Sequence, residues 1–419
     1  MTNEFPKVVR VRQKFNTPLL ENIPEKIYAE MAPFSARVLP GQKIAVAVGS
    51  RGIRNLFLIV STVVGILKEW GAEPYIVPAM GSHGGATAEG QKEVLASFGV
   101  TETNLDVPVI SHMDTIEIGQ TAQGVPVYFD REAAAADGII LINRIKPHTD
   151  FRAPVESGLL KMLAVGLGKQ KGAELIHSYG TLGLQTLIPI MAEVINQTLP
   201  IICGLGILEN ARDETADIIA LESGQMGEKE PALLIRAREL MPKLLADSLD
   251  VLVVERMGKN ISGTGIDTNI IGRMGIRNQP DPAKPNISRI VVLDLTEESH
   301  GNALGVGLAD VVSQRLREKI DIEKTYANVV TTSLLDRGFI PLVLPTDREA
   351  ISVALKTVGR PVDPKDARLM LIRSTLDLEE LYLSANLLEE IKDMPEIEII
   401  GVPETLVFSD EGELLTKLD

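Results

Sequence analysis

Lys43-Ile44-Ala45-Val46-Ala47-Val48, followed by Gly49-Ser50-Arg51-Gly52 and then by helical period from Asn55 to Trp70, reads as a buried strand, its outgoing loop and a covering helix. The run after Lys43 is apolar throughout, as a strand covered on both faces requires. Asn55 is the expected cap and Gly71 the stop. A second strand, Pro74-Tyr75-Ile76-Val77-Pro78, empties into Met80-Gly81-Ser82-His83-Gly84-Gly85-Ala86, and a helix capped by Thr87 runs to about Phe98. A third unit passes from Gly138-Ile139-Ile140-Leu141-Ile142-Asn143 through the loop Arg144 to Glu156 into a helix carrying Lys161. Strands alternating with helices specify a largely parallel sheet with helices on both faces. Open sheets of this kind bind ligands at the carboxyl ends of their strands, so Arg51, His83 and His148 are expected to converge.

Helical period returns at Leu182 to Thr198 and Pro231 to Asp247, with strands near Ile201 to Gly206 and Ala216 to Leu221. Asp250-Val251-Leu252-Val253-Val254 opens a second α/β stretch, whose further strands are expected at Arg289 to Leu295, Val329 to Thr332, Pro341 to Leu344 and Met370 to Ile372. Gly272 to Ser288, rich in Pro, Asn and Gly, reads as a long loop. The tail contains strand-like Ile397-Glu398-Ile399-Ile400. The expected fold class is α/β: two Rossmann-like domains, residues 1–247 completed by 397–419 and residues 248–396, with the active site in the interdomain cleft.

At 419 residues and 45% hydrophobic content the chain is long enough for domains with separate cores. A formal charge of −15 disfavours nucleic acid and anionic membranes as partners. The lone Cys203 excludes a disulfide framework and a cysteine metal cage. Met1-Thr2-Asn3-Glu4-Phe5-Pro6 lacks the basic start and apolar core of a signal peptide, and no apolar run reaches the roughly 20 residues that span a bilayer; a cytoplasmic protein is the expectation.

Chemistry concentrates between His148 and His177, in a chain with five histidines. Lys161 lies within Gly158-Leu159-Leu160-Lys161-Met162-Leu163-Ala164-Val165, where an ammonium is poorly solvated; desolvation favours the neutral amine, a nucleophile or attachment point. His83, between glycines ahead of a helix start, is placed to be a neutral general base or else a turn histidine with no role. His148 follows Pro147 and is presented on extended chain. His177 is placed to ligate a metal or to cap a helix, and a guanidinium at Arg51 or Arg54 to hold a carboxylate or a surface ion pair. Ala164-Val165-Gly166-Leu167-Gly168-Lys169 meets neither the Walker nor the dinucleotide spacing, though its glycines would let backbone approach a phosphate.

Taken together, Ser50-Arg51, Gly81-Ser82-His83 ahead of Thr87, Pro147-His148, and Lys161 with His177 sixteen positions on resemble the nickel-dependent lactate racemase family, throughout the first domain and more loosely in the second. The resemblance implies a nickel-pincer nucleotide cofactor, Ni pyridinium-3-thioamide-5-thiocarboxylic acid mononucleotide, bound covalently to Lys161 through a thioamide, with Ser50, Gly166 and Gly168 as further cofactor contacts. His177 would complete the nickel coordination, so that one cysteine suffices because the cofactor supplies carbon and sulfur ligands. His83 and His148 would be the acid/base pair and Arg51 the carboxylate clamp. The reaction implied is racemisation or epimerisation of a 2-hydroxy acid by hydride removal and return. Cofactor-biosynthesis proteins would be partners, and a homo-oligomer is compatible with the family.

Family members that racemise lactate follow a segment like Ile266-Asp267-Thr268-Asn269 with a glutamine and a lysine; here those positions fall at Gly272 and Gly275, with Arg273 between. The resemblance therefore points to a larger or polyhydroxy substrate, with Lys259, Asn260, Arg273 and His300 as contacts. Two rival readings are a metal-dependent hydrolase with His83 and His148 as zinc ligands, which lacks a carboxylate at a familiar spacing, and a non-enzymatic binding protein for the nickel-pincer nucleotide.

Overall fold

Alternation along Lys43–Val48 sets the first sheet. Ile44, Val46 and Val48 pack on one side with Ile59, Val63 and Leu67, while Ala45 and Ala47 pack on the other with Leu159, Leu163 and Ile188, all wholly buried. The computed structural model describes residues 4–50 and 52–418. In chain order its strands are β1 (Lys7–Gln13), β2 (Lys43–Val48), β3 (Glu73–Pro78), β4 (Thr115–Gln120), β5 (Pro126–Asp130), β6 (Gly138–Arg144), β7 (Ile201–Glu209) and β8 (Thr215–Glu222). They continue with β9 (Ser248–Val254), β10 (Asn286–Val292), β11 (Val311–Ser313), β12 (Leu342–Leu344), β13 (Leu369–Ile372), β14 (Glu380–Ser384), β15 (Ile397–Ile399) and β16 (Glu404–Thr405).

One unit comprises Asn16–Met241. Its sheet runs β3-β2-β6-β7-β8, parallel except for the antiparallel β7/β8 pair, and β4 and β5 form a separate hairpin. The chain leaves β2 toward β3 and later crosses to β6 on the other side. Connections therefore diverge at the carboxyl ends of β2 and β6, the switch point where doubly wound sheets open a ligand crevice. The helix after β2 spans Leu56–Glu69 as expected; the side chain of Asn55 bonds Thr215 instead of capping it. Thr87 does cap its helix, accepting the Gly90 amide. The Lys161 segment is a short α-turn, Leu159–Lys161, that widens into a π-turn over Met162–Gly166 before the helices Lys169–Ser178 and Gly180–Thr198. The helix expected from Pro231 forms earlier, as Met226–Leu240.

The other unit comprises the chain up to Phe15 and everything from Pro242 onward. Its sheet runs β12-β11-β10-β9-β13-β14-β1-β15, with β16 also paired to β1. This corrects two boundaries. The N-terminal strand belongs here because Val8, Val9 and Val11 bury their side chains and β1 pairs antiparallel with β14, fastened by Arg10 and Arg12 on Glu380. The tail, expected to complete the first domain, instead pairs β15 and β16 with β1. The strand expected at Val329 to Thr332 is the end of a helix, Ile322–Thr332, capped by Asp321; Thr325 and Val329 bury at helical spacing, which outweighs the β-branched pair Val329-Val330. Among the described residues no helix is long and apolar enough to cross a membrane.

Candidate active site

The carboxyl ends of β2 and β6 are tied together. Gly49 donates to the Ile142 carbonyl at 3.0 Å, and Asn143 Nδ2 donates to the Gly158 carbonyl at 2.8 Å. Arg144 donates to the Gly52 carbonyl at 3.0 Å and pairs with Glu209, whose other oxygen accepts the Arg54 amide. Ser50 is thereby held beside the His83 loop, and its Oγ lies 2.9 Å from His83 Nδ1. Arg51, expected to clamp a carboxylate, lies outside the described residues.

His148 and Lys161 meet directly, with Nζ 2.5 Å from Nε2. The ring is fixed on its other side, where Nδ1 accepts the Asp150 amide at 3.0 Å, and it lies against Phe151. Burial, then the Lys161 charge, holds the His148 ring well below the usual histidine range, so it is neutral at pH 7. Burial likewise pushes the Lys161 ammonium down to about 8, against the pull of Asp150 and with the push of Lys146. His177 sits in the last turn of Lys169–Ser178 and is also lowered, by burial and then by Lys161. His148, Lys161 and His177 thus share one electrostatic neighbourhood.

Two carboxylates that the sequence reading passed over hold this group. Glu156 is wholly buried and accepts the amides of His148 and Ala153, balanced by Arg238 and Arg152. Glu230 is also buried; one oxygen accepts the amides of Leu159 and Leu160 at 3.1 Å each, which fixes the turn bearing Lys161, and burial pushes its carboxyl up to about 7. Nothing in the local pattern marks Glu230, which lies on an otherwise ordinary charged helix. Lys169 is a third omission: its neighbours Gln170 and Lys171 are exposed, but Lys169 itself is wholly buried.

The glycines expected to contact a cofactor have packing reasons of their own. A Cβ at Gly166 would lie 2.6 Å from the Ala79 carbonyl oxygen, and one at Gly168 2.5 Å from that of Ala164. Both residues are buried among chain segments.

In the other unit, Lys259 and Asn260 follow β9 and meet the turn after β10: the Lys259 amide donates to Ser299 Oγ, and Thr296 Oγ1 donates to Asn260 Oδ1. His300 occupies a left-handed position at the end of that turn. Arg273 donates to the carbonyls of Leu308 and Ile287 and pairs with Asp310 at 2.8 Å, so its guanidinium tethers its own loop. Gly272 ends the helix Thr268–Ile271 at φ 65, and a Cβ there would fall on the Pro285 carbonyl. The room expected from losing a side chain at this position is filled by Pro285.

Residues 22–172 match the family model of the lactate racemase N-terminal domain. That segment is similar to the N-terminal domain of the lactate racemase family. The lactate racemase apoprotein from Thermoanaerobacterium thermosaccharolyticum has a similar fold, with a TM-score of 0.55 over 88% of this chain and 99% of that one, at 12% identity. No curated protein matches the sequence.

The site's donor set can be weighed against the cofactor of that family. Among the described residues no three His, Cys, Asp or Glu side chains gather into a metal cage, so a metal beside His177 needs ligands that are not protein side chains. Lys161 offers a low-pKa amine in the same neighbourhood. These two features fit a metal-bearing organic group attached at Lys161. They do not fit a zinc hydrolase built on His83 and His148, because both ring nitrogens of His148 are engaged.

Proposed function

We propose that the protein is a racemase or epimerase of a 2-hydroxy acid and carries a nickel-pincer nucleotide on Lys161. The observation that carries this reading is the Lys161 amine, its proton affinity lowered to about 8 by burial, set against His148 and sharing an electrostatic neighbourhood with His177. Lys161 would hold the cofactor through its amine, and His177 would offer one nitrogen to the nickel. When bound, the group supplies a hydride acceptor and a metal centre, chemistry that no side chain provides.

The protein's own part is proton transfer and placement. His148, neutral at pH 7 with Nδ1 held by the Asp150 amide, would exchange the proton of the substrate oxygen through Nε2 once Lys161 is occupied elsewhere. His83, oriented by Ser50, would serve the opposite stereoisomer, whose hydroxyl points the other way. Arg51 would hold the carboxylate in two-pronged fashion. Other proteins would make the nucleotide, and the cytoplasm is where they would meet this chain. A 2-hydroxy acid other than lactate is the preferred substrate class because positions 272 and 275 lack the glutamine and lysine that the resemblance associates with lactate.

Purified holoprotein should contain about one nickel per chain and show a mass increase that disappears in Lys161→Ala. Unmodified protein with full activity would overturn the reading. Stereochemical exchange across a panel of 2-hydroxy acids separates an enzyme from a protein that only binds the cofactor.

A further inference from the structure

Proton transfer leaves one costly feature of the first unit unused. Lys169 is wholly buried and its backbone is left-handed, with φ 52, a conformation that a residue bearing a side chain adopts only when its surroundings impose it. Its ammonium donates to the Pro78 carbonyl at 2.5 Å and to Gln91 Oε1 at 3.2 Å, and it pairs with Asp130 at 3.1 Å. Gln91, also wholly buried, turns its Nε2 the other way, donating to the carbonyls of Gly81 at 2.8 Å and His83 at 3.3 Å. Asp130 is fixed in turn by the Ala133 amide, with His112 Nε2 at 3.6 Å.

We propose that Lys169 is a positioning residue for the His83 loop, acting through Gln91. Pro78 is the last residue of β3, where the loop departs, and Gly81 and His83 bracket its turn. One ammonium therefore fixes the departure point directly and the turn through an amide, which sets where the His83 ring stands relative to Ser50. A buried ion pair is poor value as a source of stability, since apolar residues of similar volume often do as well. What apolar residues cannot supply is donors aimed at particular carbonyls: Lys169 donates to Pro78 and Gln91, and Gln91 to Gly81 and His83, while Asp130 balances the charge from outside the loop. The consequence for turnover rests on His83 being one of the proton-transfer pair; the positioning itself does not.

Two variants of the apoprotein, Lys169→Met and Gln91→Leu, test this without cofactor or substrate. Gln91→Leu keeps the ion pair and the Pro78 contact, so it folds even if Lys169→Met does not. Amide hydrogen exchange at residues 80–87 should quicken about tenfold or more in Gln91→Leu, while the strand at 138–144 keeps wild-type protection. The His83 ring titration, followed by NMR, should move in the same variant, and Gln91→Glu, which retains an acceptor for Lys169 but offers the loop no donor, should reproduce both changes. Wild-type exchange and titration in Gln91→Leu would overturn the proposal, as would faster exchange spread evenly over the unit. In loaded enzyme the same variants should lower kcat about tenfold or more with KM little changed; a loosened loop with unchanged kcat would instead refute the role given to His83.

Discussion

Lys161 Nζ stands 2.5 Å from His148 Nε2, while Nδ1 of the same ring accepts the Asp150 amide. With Nδ1 an acceptor, the neutral ring carries its hydrogen on Nε2 and donates it to the lysine nitrogen. Only the neutral amine has a lone pair to receive it. That contact is therefore complete where Lys161 has lost its proton, a minority of chains at pH 7 and most of them above about pH 8, and this fraction is able to form a covalent bond.

Competitive acylation of the apoprotein, read peptide by peptide, should give Lys161 a midpoint near pH 8, against about 10.4 for surface lysines. Because the folded value lies below the unfolded one, the unfolded chain binds more protons between about pH 8 and 10.5, and stability should climb with pH across that window. Lys161→Met should flatten the climb and stabilise the protein at pH 7 by about 1–3 kcal/mol. A labelling midpoint above pH 10 would contradict the burial argument.

The imidazoles of His148 and His177 titrate with the same consequence in a lower pH window. Both are depressed, first by burial and then by the Lys161 charge. The unfolded chain therefore takes up protons near 6.5 that the native state refuses, so their contribution is present above that pH and lost as pH falls below it. His148→Gln and His177→Gln should each shallow the acid limb of a urea-denaturation series run from pH 7 to 4. If both variants trace the wild-type curve, neither ring is desolvated.

How much of this was legible follows from where each signal resides. Lys43–Val48, the Gly81–Ala86 loop and the Lys161 run announce themselves through periodicity, glycine and a charge among aliphatic residues, all of which are local. The return of β15 and β16 to β1, and the buried roles of Glu156, Glu230 and Lys169, depend on partners far along the chain: Glu230 meets Leu159, and Lys169 meets Pro78. A carboxylate that caps a remote turn has the same local sequence as one in water. Val329-Val330 misled for the complementary reason, since β-branched preference is weak and tertiary burial overrides it.

Glu156 offers a direct measure of such a remote contact. It accepts the amides of His148 and Ala153, and Glu156→Ala would remove that acceptor from a site that water reaches poorly. A loss of about 2–4 kcal/mol in urea denaturation is expected. The Lys161 labelling midpoint should also move further down from about 8, because the Glu156 charge pulls the ammonium upward. A change in stability with unaltered labelling would make Glu156 a prop for the loop and nothing more.

Glu230 should respond to pH in the sense opposite to an ordinary surface carboxylate. Its folded value near 7 exceeds the ordinary 4.5, so between those limits the native state keeps a proton that the unfolded chain has released, and stability falls as pH rises. Glu230→Gln keeps an oxygen for the Leu159 and Leu160 amides and removes the desolvated charge. It should stabilise the protein by about 1–3 kcal/mol at pH 8 and have little effect at pH 4.5. Glu230→Leu removes the acceptor and should destabilise at both pH values by about 1–3 kcal/mol. Identical curves for wild type and Glu230→Gln at pH 8 would show that the carboxylate is solvated.

Restoring a glutamine at position 272 tests whether the glycine there marks substrate preference or chain path. Gly272 ends its helix at φ 65, and the space for a Cβ is taken by the Pro285 carbonyl. A side chain would meet both the left-handed penalty and that oxygen, and the loop up to Pro285 would have to move. Gly272→Gln should therefore cost about 2–4 kcal/mol of stability, and Gly272→Ala nearly as much, because the strain begins at Cβ. Thermal unfolding of the two variants side by side decides the matter. If Gly272→Gln is as stable as wild type, the backbone is not what requires glycine at this position, and selection for a substrate becomes the better account.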